Sequence, residues 1–97
     1  MPTHITHLTL PIAPDRQAEF EAMMQVEAPL TRAFEGCELF EVYARPEAGE
    51  IVFLGHWRSQ AASEAYPRWR AERGDMDRLG AFFVAPSRRA VLRLVVD

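Results

Sequence analysis

Three histidines, two tryptophans, two tyrosines and a single cysteine carry most of the chemistry open to this chain. Histidine is the side chain best matched to proton transfer at neutral pH, which makes His7 and His56 the candidate general bases. A solvated strand histidine would look the same in sequence, and His4 is expected to be exposed near the terminus. Trp57 ends the stretch FLGHW. A large flat ring with one N–H at such a place either plugs a core or walls a pocket. Tyr66 and Trp69 lie three residues apart and share a helix face with Ala62 and Ala65. Small alanines beside large rings leave room beneath the helix, and Phe20, Met23 or Phe83 could fill or border that room. Trp57, Tyr66, Trp69, Phe20 and Phe83 are thus the candidate lining of a substrate pocket.

Several reaction classes are closed. All eleven basic residues are arginine, so no lysine side chain can form a Schiff base. Cys37 can neither close an internal disulfide nor build a thiolate metal site alone, and it reads as a small buried hydrophobe. The histidines lack ligand spacing, so no metal is expected. There is no Gly-rich phosphate loop and no Gly-x-Ser-x-Gly elbow. Arg68, Arg70 and Arg73, with Glu64 and Glu72, read as a solvated helix face, although one arginine could reach an anionic substrate oxygen. A net charge of −3 without a basic tract argues against nucleic acid. No apolar run approaches the ~20 residues of a membrane span. The start of the chain shows no basic stretch followed by an apolar one, so no secretory signal is expected. With one cysteine, the expected compartment is the cytoplasm.

These residues need elements to position them. In HITHLTLPI, Thr6, Leu8, Leu10 and Ile12 alternate with Ile5, His7, Thr9 and Pro11, the pattern of a strand. Pro14 and Asp15 open a helix. Pro29 is expected to divide it, with a main part to about residue 28 and a shorter piece to Phe34 before Gly36 stops it. A strand over 37–45 places Cys37, Leu39, Glu41 and Tyr43 opposite Glu38, Phe40, Val42 and Ala44. The PEAGE turn leads to a strand over 51–58. Ser59 caps the next helix, which Pro67 interrupts and Gly74 ends. Asp75 is expected to cap a short helix carrying Met76, Leu79, Phe82 and Phe83, and a last strand runs over 88–96.

The order β-α-β-β-α-β over 97 residues describes one domain, residues 1–97, with an α+β, ferredoxin-like fold and its helices on one sheet face. Both faces carry apolar residues, with Ile51, Phe53 and Trp57 opposed to Val52 and Leu54 on one strand and Leu39 and Tyr43 opposed to Phe40 and Val42 on another, so a second copy packed sheet to sheet, a homodimer, is expected. An RNA-recognition module shares this strand order, but it displays basic and aromatic residues on its central strands. Here one of those strands reads IVFLGHW in an acidic chain.

The succession of an N-terminal strand, PDRQAEFEAM, EGCELFEVY and FLGHWRSQAASEAY resembles the antibiotic biosynthesis monooxygenase (ABM) domain of the dimeric α+β barrel superfamily. The resemblance spans nearly the whole chain. It rests most on Gly36-Cys37 entering a strand and on Trp57 before a Ser-capped, Ala-rich helix. It implies a homodimeric barrel with a pocket between sheet and helices in each subunit. It further implies, as in some members, oxygenation of phenols, anthrones or quinols without metal or flavin. Tyr66 stands where many relatives carry a helix histidine, which adds it to His7 and His56 as a catalytic candidate. Haem-degrading relatives use a first-strand Asn, a Trp and a helix His that ligates iron. Here Thr6 takes the first position and joins the substrate-binding candidates, Trp57 is kept, and residues 60–83 contain no His, so haem degradation is disfavoured. The alternative is a non-oxygenating barrel that binds, isomerises or cleaves a small molecule. Under either reading the expected partners are a second copy and a small aromatic or otherwise apolar ligand, without resident cofactor, nucleic acid or membrane.

Overall fold

A computed structural model describes residues 4–96. Strand β1 (His4–Pro11) leads through a short 3-10 turn into helix α1 (Gln17–Ala33), followed by β2 (Cys37–Arg45) and β3 (Glu50–Trp57). Helices α2 (Gln60–Glu72) and α3 (Asp75–Gly80) precede β4 (Arg88–Leu92). The sheet is antiparallel throughout, in the order β2-β3-β1-β4. This is the ferredoxin-like α+β arrangement expected from the alternation of strand and helix patterns. No helix among the described residues is long and apolar enough to cross a membrane.

Register decides which side chains face the helices. Thr6 pairs with Gly55, Leu8 with Phe53 and Leu10 with Ile51, and directly paired residues in an antiparallel ladder share a face. Phe40 pairs with Gly55 and Val42 with Phe53, which brings β2 into the same phase. Against this face lies a core of Leu10, Ile12, Phe20, Met24, Ala28, Phe40, Ile51 and Phe82. Phe20 has no exposed surface and stacks between Phe53, at a centroid distance of 6.3 Å, and the edge of Phe82, at 5.2 Å.

Five local expectations need correction. Helix α1 runs unbroken through Pro29, and α2 through Pro67. A proline removes one donor, and at Pro29 the carbonyl it frees, that of Gln25, lies on an exposed stretch where water can satisfy it. A β-bulge between Cys37 and Leu39 leaves Glu38 unpaired and sets Cys37 opposite Trp57. Cys37 therefore packs on the helix-side core rather than sharing the outer face with Leu39. Asp75 does not cap α3: the cap position is Gly74, and the Asp75 carboxylate takes arginine donors instead. Strand β4 ends at Leu92 rather than 96, its pairing with β1 running from Thr9↔Arg88 to Ile5↔Leu92.

The turn between α1 and β2 fixes how α2 sits. Gly36 has φ +93°, its carbonyl accepts from the Arg58 amide at 2.8 Å, and an added Cβ would lie 2.5 Å from the Ala62 Cβ. Ser59 caps α2 just beyond, its side chain accepting from the Ala62 amide at 3.1 Å. Both the backbone region and the close approach demand glycine. Gly36→Ala is expected to lower stability by about 2–4 kcal/mol, combining backbone strain and overpacking. Urea denaturation reads this as a lower midpoint at an unchanged slope.

Candidate functional site

A cavity of about 250 Å³ lies between the helix-side sheet face and the three helices. Its floor comes from Thr6, Leu8 and Leu10 of β1, Phe40 of β2, and Phe53 and Trp57 of β3. Met23, Met24 and Glu27 of α1 and Ser63, Tyr66, Pro67 and Arg70 of α2 form the walls. Asp75, Met76, Arg78 and Leu79 of α3, with Phe83, Ser87 and Arg89, complete it. The size falls just under the ~300–1,000 Å³ common for ligand pockets, which suits a small ligand.

Trp57 is buried, with 3% of its surface exposed. Its Nε1 donates to Thr6 Oγ1 at 3.0 Å, and its ring lies 5.1 Å from that of Tyr66. Gly55 makes this possible: a Cβ there would stand 2.7 Å from Trp57 Nε1 and 3.0 Å from Thr6 Oγ1. The indole N–H is thus committed to the protein. The Thr6 oxygen accepts that bond, so its own hydroxyl proton has no other partner among the described residues, and Thr6 lines the cavity.

The far wall is a buried polar cluster. Arg70, only 5% exposed, spreads its guanidinium over all three helices. It donates to Asp75 Oδ2 (2.9 Å) on α3, to Tyr66 Oη (2.8 Å) on α2, and to Thr31 Oγ1 and the Glu27 carbonyl (each 3.2 Å) on α1. Thr31 Oγ1 and Tyr66 Oη are themselves hydrogen-bonded at 2.6 Å. Arg78 closes the cluster on Asp75 (2.6 Å) and Glu27 (2.9 Å). No buried side-chain polar atom among the described residues lacks a partner. Burial works to raise the Asp75 pKa, but the hydrogen bonds from Arg70 and Arg78 outweigh it and hold the carboxyl below its ordinary value. Burial likewise opposes the charge on Arg70, and the bonds to Asp75 and Tyr66 reverse that, so its pKa is raised. Pro67 adds one more feature: without an N–H it cannot donate to the Ser63 carbonyl, and both residues line the cavity.

With the site described, comparison with known proteins is informative. Residues 3–71 match the family model described as antibiotic biosynthesis monooxygenase. The chain belongs to the antibiotic biosynthesis monooxygenase family. Within it, the Mycobacterium tuberculosis protein named "Putative monooxygenase Rv0793" is 29% identical over 69 residues, which are 65% of this chain and 68% of that protein. The solved structure of Rv0793 superposes with a TM-score of 0.82 at 20% identity, covering 97% of this chain and 96% of that one. A Streptomyces coelicolor monooxygenase in complex with nanaomycin D gives 0.77 at 16% identity, covering 98% and 89%. At these identities the structural likeness speaks to the fold. The family match ends before α3, so it includes Thr6, Trp57 and Tyr66 but not Asp75, Arg78 or Arg89.

For this ABM chain the candidate residues separate clearly. Thr6, Trp57, Tyr66 and Phe83 line the cavity. Phe20 does not, because it lies wholly within the core between two other rings. Trp69 does not: it keeps to the Tyr66 side of α2, but its ring packs on Phe34 and Tyr66 beneath Arg70 and Arg73, outside the lining. His7 pairs with Leu54 and His56 with Ile5, on the sheet face away from the helices, so neither reaches the cavity. His4 pairs with Trp57 at the start of β1, is half-buried rather than exposed, and also lies outside the lining. The Tyr66 hydroxyl is engaged by Thr31 and Arg70, which leaves its ring as its contribution to the wall. Burial pushes the Cys37 thiol up, consistent with an unreactive core position. The reading of a solvated arginine face fails at Arg70. Its spacing of four from Tyr66 is the local signal that could have placed the two together.

Among the described residues no three His, Cys, Asp or Glu gather in a way that could hold a metal ion. The Asp75 shift has a pH consequence. A carboxyl whose folded pKa is depressed stabilises the fold fully above its unfolded pKa, near ~3.9, and loses that contribution as pH falls through the folded value. Asp75→Asn is expected to cost about 3 kcal/mol at pH 7, the scale of removing one partner from a buried pair. The gap from wild type narrows below about pH 4. Urea midpoints of both proteins at pH 7 and pH 3 check this.

Proposed function

We propose that this chain is a cofactor-independent monooxygenase that oxidises a small electron-rich aromatic, of phenol, anthrone or quinol type, in the cavity beneath α2. One observation carries the reading: an apolar space faced by Trp57, Phe53 and the Tyr66 ring, with the Thr6 hydroxyl fixed by Trp57 and its proton left for a ligand oxygen. Apolar walls hold the ring and exclude water, and a positioned donor stabilises negative charge on its oxygen. A deprotonated aromatic of this kind can pass an electron to O₂ directly. Recombination forms a C–O bond, and loss of water leaves a carbonyl. The substrate's ring carbon thus supplies all the electrons, one oxygen atom enters the product and the other departs as water. In this reading Thr6 holds the oxyanion, Trp57 orients Thr6, and the Ser63 carbonyl, freed by Pro67, is an acceptor for a substrate hydroxyl.

The proton has no histidine to receive it in the cavity, and both lining carboxylates, Glu27 and Asp75, are paired with arginines. The reading therefore requires a substrate acidic enough to ionise into a cationic setting with solvent as proton acceptor. The same observation favours the second reading, a barrel that binds, isomerises or cleaves a small molecule without oxygen. Oxygen uptake with anthrones and hydroquinones separates the two. Wild type is expected to consume one O₂ per product carbonyl, Thr6→Val to lower kcat about tenfold or more, and Trp57→Ala to lower kcat/KM further. Absence of uptake across the panel, together with a co-purified non-aromatic ligand in mass spectrometry, gives the case to the second reading.

The proposal includes a homodimer. Leu54 and Leu39 lie half-buried on the sheet face that the helices leave bare. Tyr43 and Leu92 on that face are 50% and 43% exposed, and the segment after β4 presents Val95 at 77%. Such a surface favours a two-fold copy. Sedimentation equilibrium at micromolar concentration is expected to return twice the mass of one chain. A single-chain mass overturns this part.

A further inference from the structure

Five charged side chains line the cavity: Glu27, Arg70, Asp75, Arg78 and Arg89. Four of them neutralise one another. Arg70 and Arg78 each pair with both Asp75 and Glu27, at distances from 2.6 to 3.6 Å. Arg89 is left over. Among the described residues it makes no hydrogen bond and no ion pair, whereas its neighbour Arg88, on the opposite sheet face, is held by Glu50 at 2.9 Å. The cavity thus carries one surplus positive charge in a chain whose net charge is −3.

Position reinforces the charge. Arg89 lies opposite Leu8 in the β1–β4 ladder, and Thr6 lies opposite Val91. Arg89 and Thr6 are therefore diagonal neighbours on the helix-side face, about 7–8 Å apart across the strands. A ligand oxygen on Thr6 and an anionic substituent on the same small ring system fall within reach of both. Ser87, two residues before Arg89, adds a hydroxyl to the same rim.

We propose that Arg89 is a specificity-determining residue that selects an aromatic substrate bearing a carboxylate. This rests on the reading of the cavity as an aromatic site and names the substrate class within it. A guanidinium matches a carboxylate through two parallel N–H bonds. One uncompensated positive charge suits a monoanion better than a phosphate dianion, because the other two arginines are already spent. The exposed rim also lets the carboxylate keep part of its hydration, which lowers the cost of entry.

The test is calorimetric titration with 2-naphthoate and with methyl 2-naphthoate, which share a ring and differ in charge. Wild type is expected to bind the acid about tenfold more tightly than the ester, the scale of one charge-assisted hydrogen bond, and added salt to weaken the acid alone. Arg89→Gln is expected to bring the acid to the affinity of the ester and leave the ester unchanged. Arg68→Gln removes the same charge from a residue outside the lining and is expected to keep the preference. Because Arg89 is exposed and unpaired, its substitution removes no hydrogen bond or ion pair of the described fold. If wild type binds acid and ester alike, or Arg89→Gln retains the preference, Arg89 does not select the substrate and the aromatic site stands. If neither compound binds, the aromatic reading fails and this inference fails with it.

Discussion

The cavity exists because Arg70 holds three helices together over one sheet face. Its guanidinium reaches Asp75 on α3, Tyr66 on α2, and Thr31 and the Glu27 carbonyl on α1, and almost none of it is exposed. Arginine suits this place because its donors are fixed in a planar fork and its charge cannot be shed by deprotonation. A buried charge is costly unless every donor is met. The cluster meets that condition by drawing in Tyr66 and Thr31 as well as two carboxylates. Its geometry consequently dictates that of α2 and α3. Tyr66 is held from both sides at its hydroxyl, so its ring must face Trp57, and that pair of rings closes one end of the space.

The place of Trp57 itself depends on a smaller arrangement that obeys the same rule. Trp57 buries an indole N–H, and that donor has to be satisfied. Thr6 supplies the acceptor from the neighbouring strand, and Gly55, paired with Thr6, leaves the indole room to lie flat. The two anchors, Trp57–Thr6 and Arg70–Asp75, bracket an interior otherwise built from Leu, Met and Phe side chains. Flexible Met23, Met24 and Met76 between fixed rings allow that interior to adjust to the outline of a ligand.

The element order, the Ser59 cap, the Gly36 stop and the common phase of Thr6, Leu8 and Leu10 were legible in sequence, because each follows from local pattern or a single residue's backbone preference, whereas alternation alone did not say which sheet face the helices cover. The same alternation that puts Trp57 toward the helices puts His56 away from them, so the separation of those neighbours was legible as well. The bulge at Glu38 was not. Nothing local distinguishes one extra residue in β2, yet it carries Cys37 to the other face. The Arg70 cluster was legible only as spacing. Arg68, Arg70 and Arg73 look alike in a helical wheel. What separates them is where Thr31 and Asp75 arrive, thirty-nine residues before and five after Arg70, and that is settled by packing. Phe20 and Trp69 show the converse: large rings at helical spacing mark a buried face without saying whether a neighbour or a ligand fills it.

The cluster also limits what chemistry the cavity can hold. A carboxylate placed on this wall meets Arg70 and Arg78 within bonding distance. Its basicity is then spent on an ion pair, as the lowered Asp75 pKa illustrates. A histidine there would be held back in a related way, since nearby guanidinium charge disfavours the protonated imidazolium. The interaction that shapes the cavity therefore works against a strong base inside it, and the one surplus positive charge on the lining, that of Arg89, favours the ionised form of a ligand that enters. Activation by binding an acidic substrate as its anion is the chemistry most compatible with that constraint. The family's fold permits many reactions, and the constraint on them that is particular to this chain lies in the arginines around the cavity more than in the sheet beneath it.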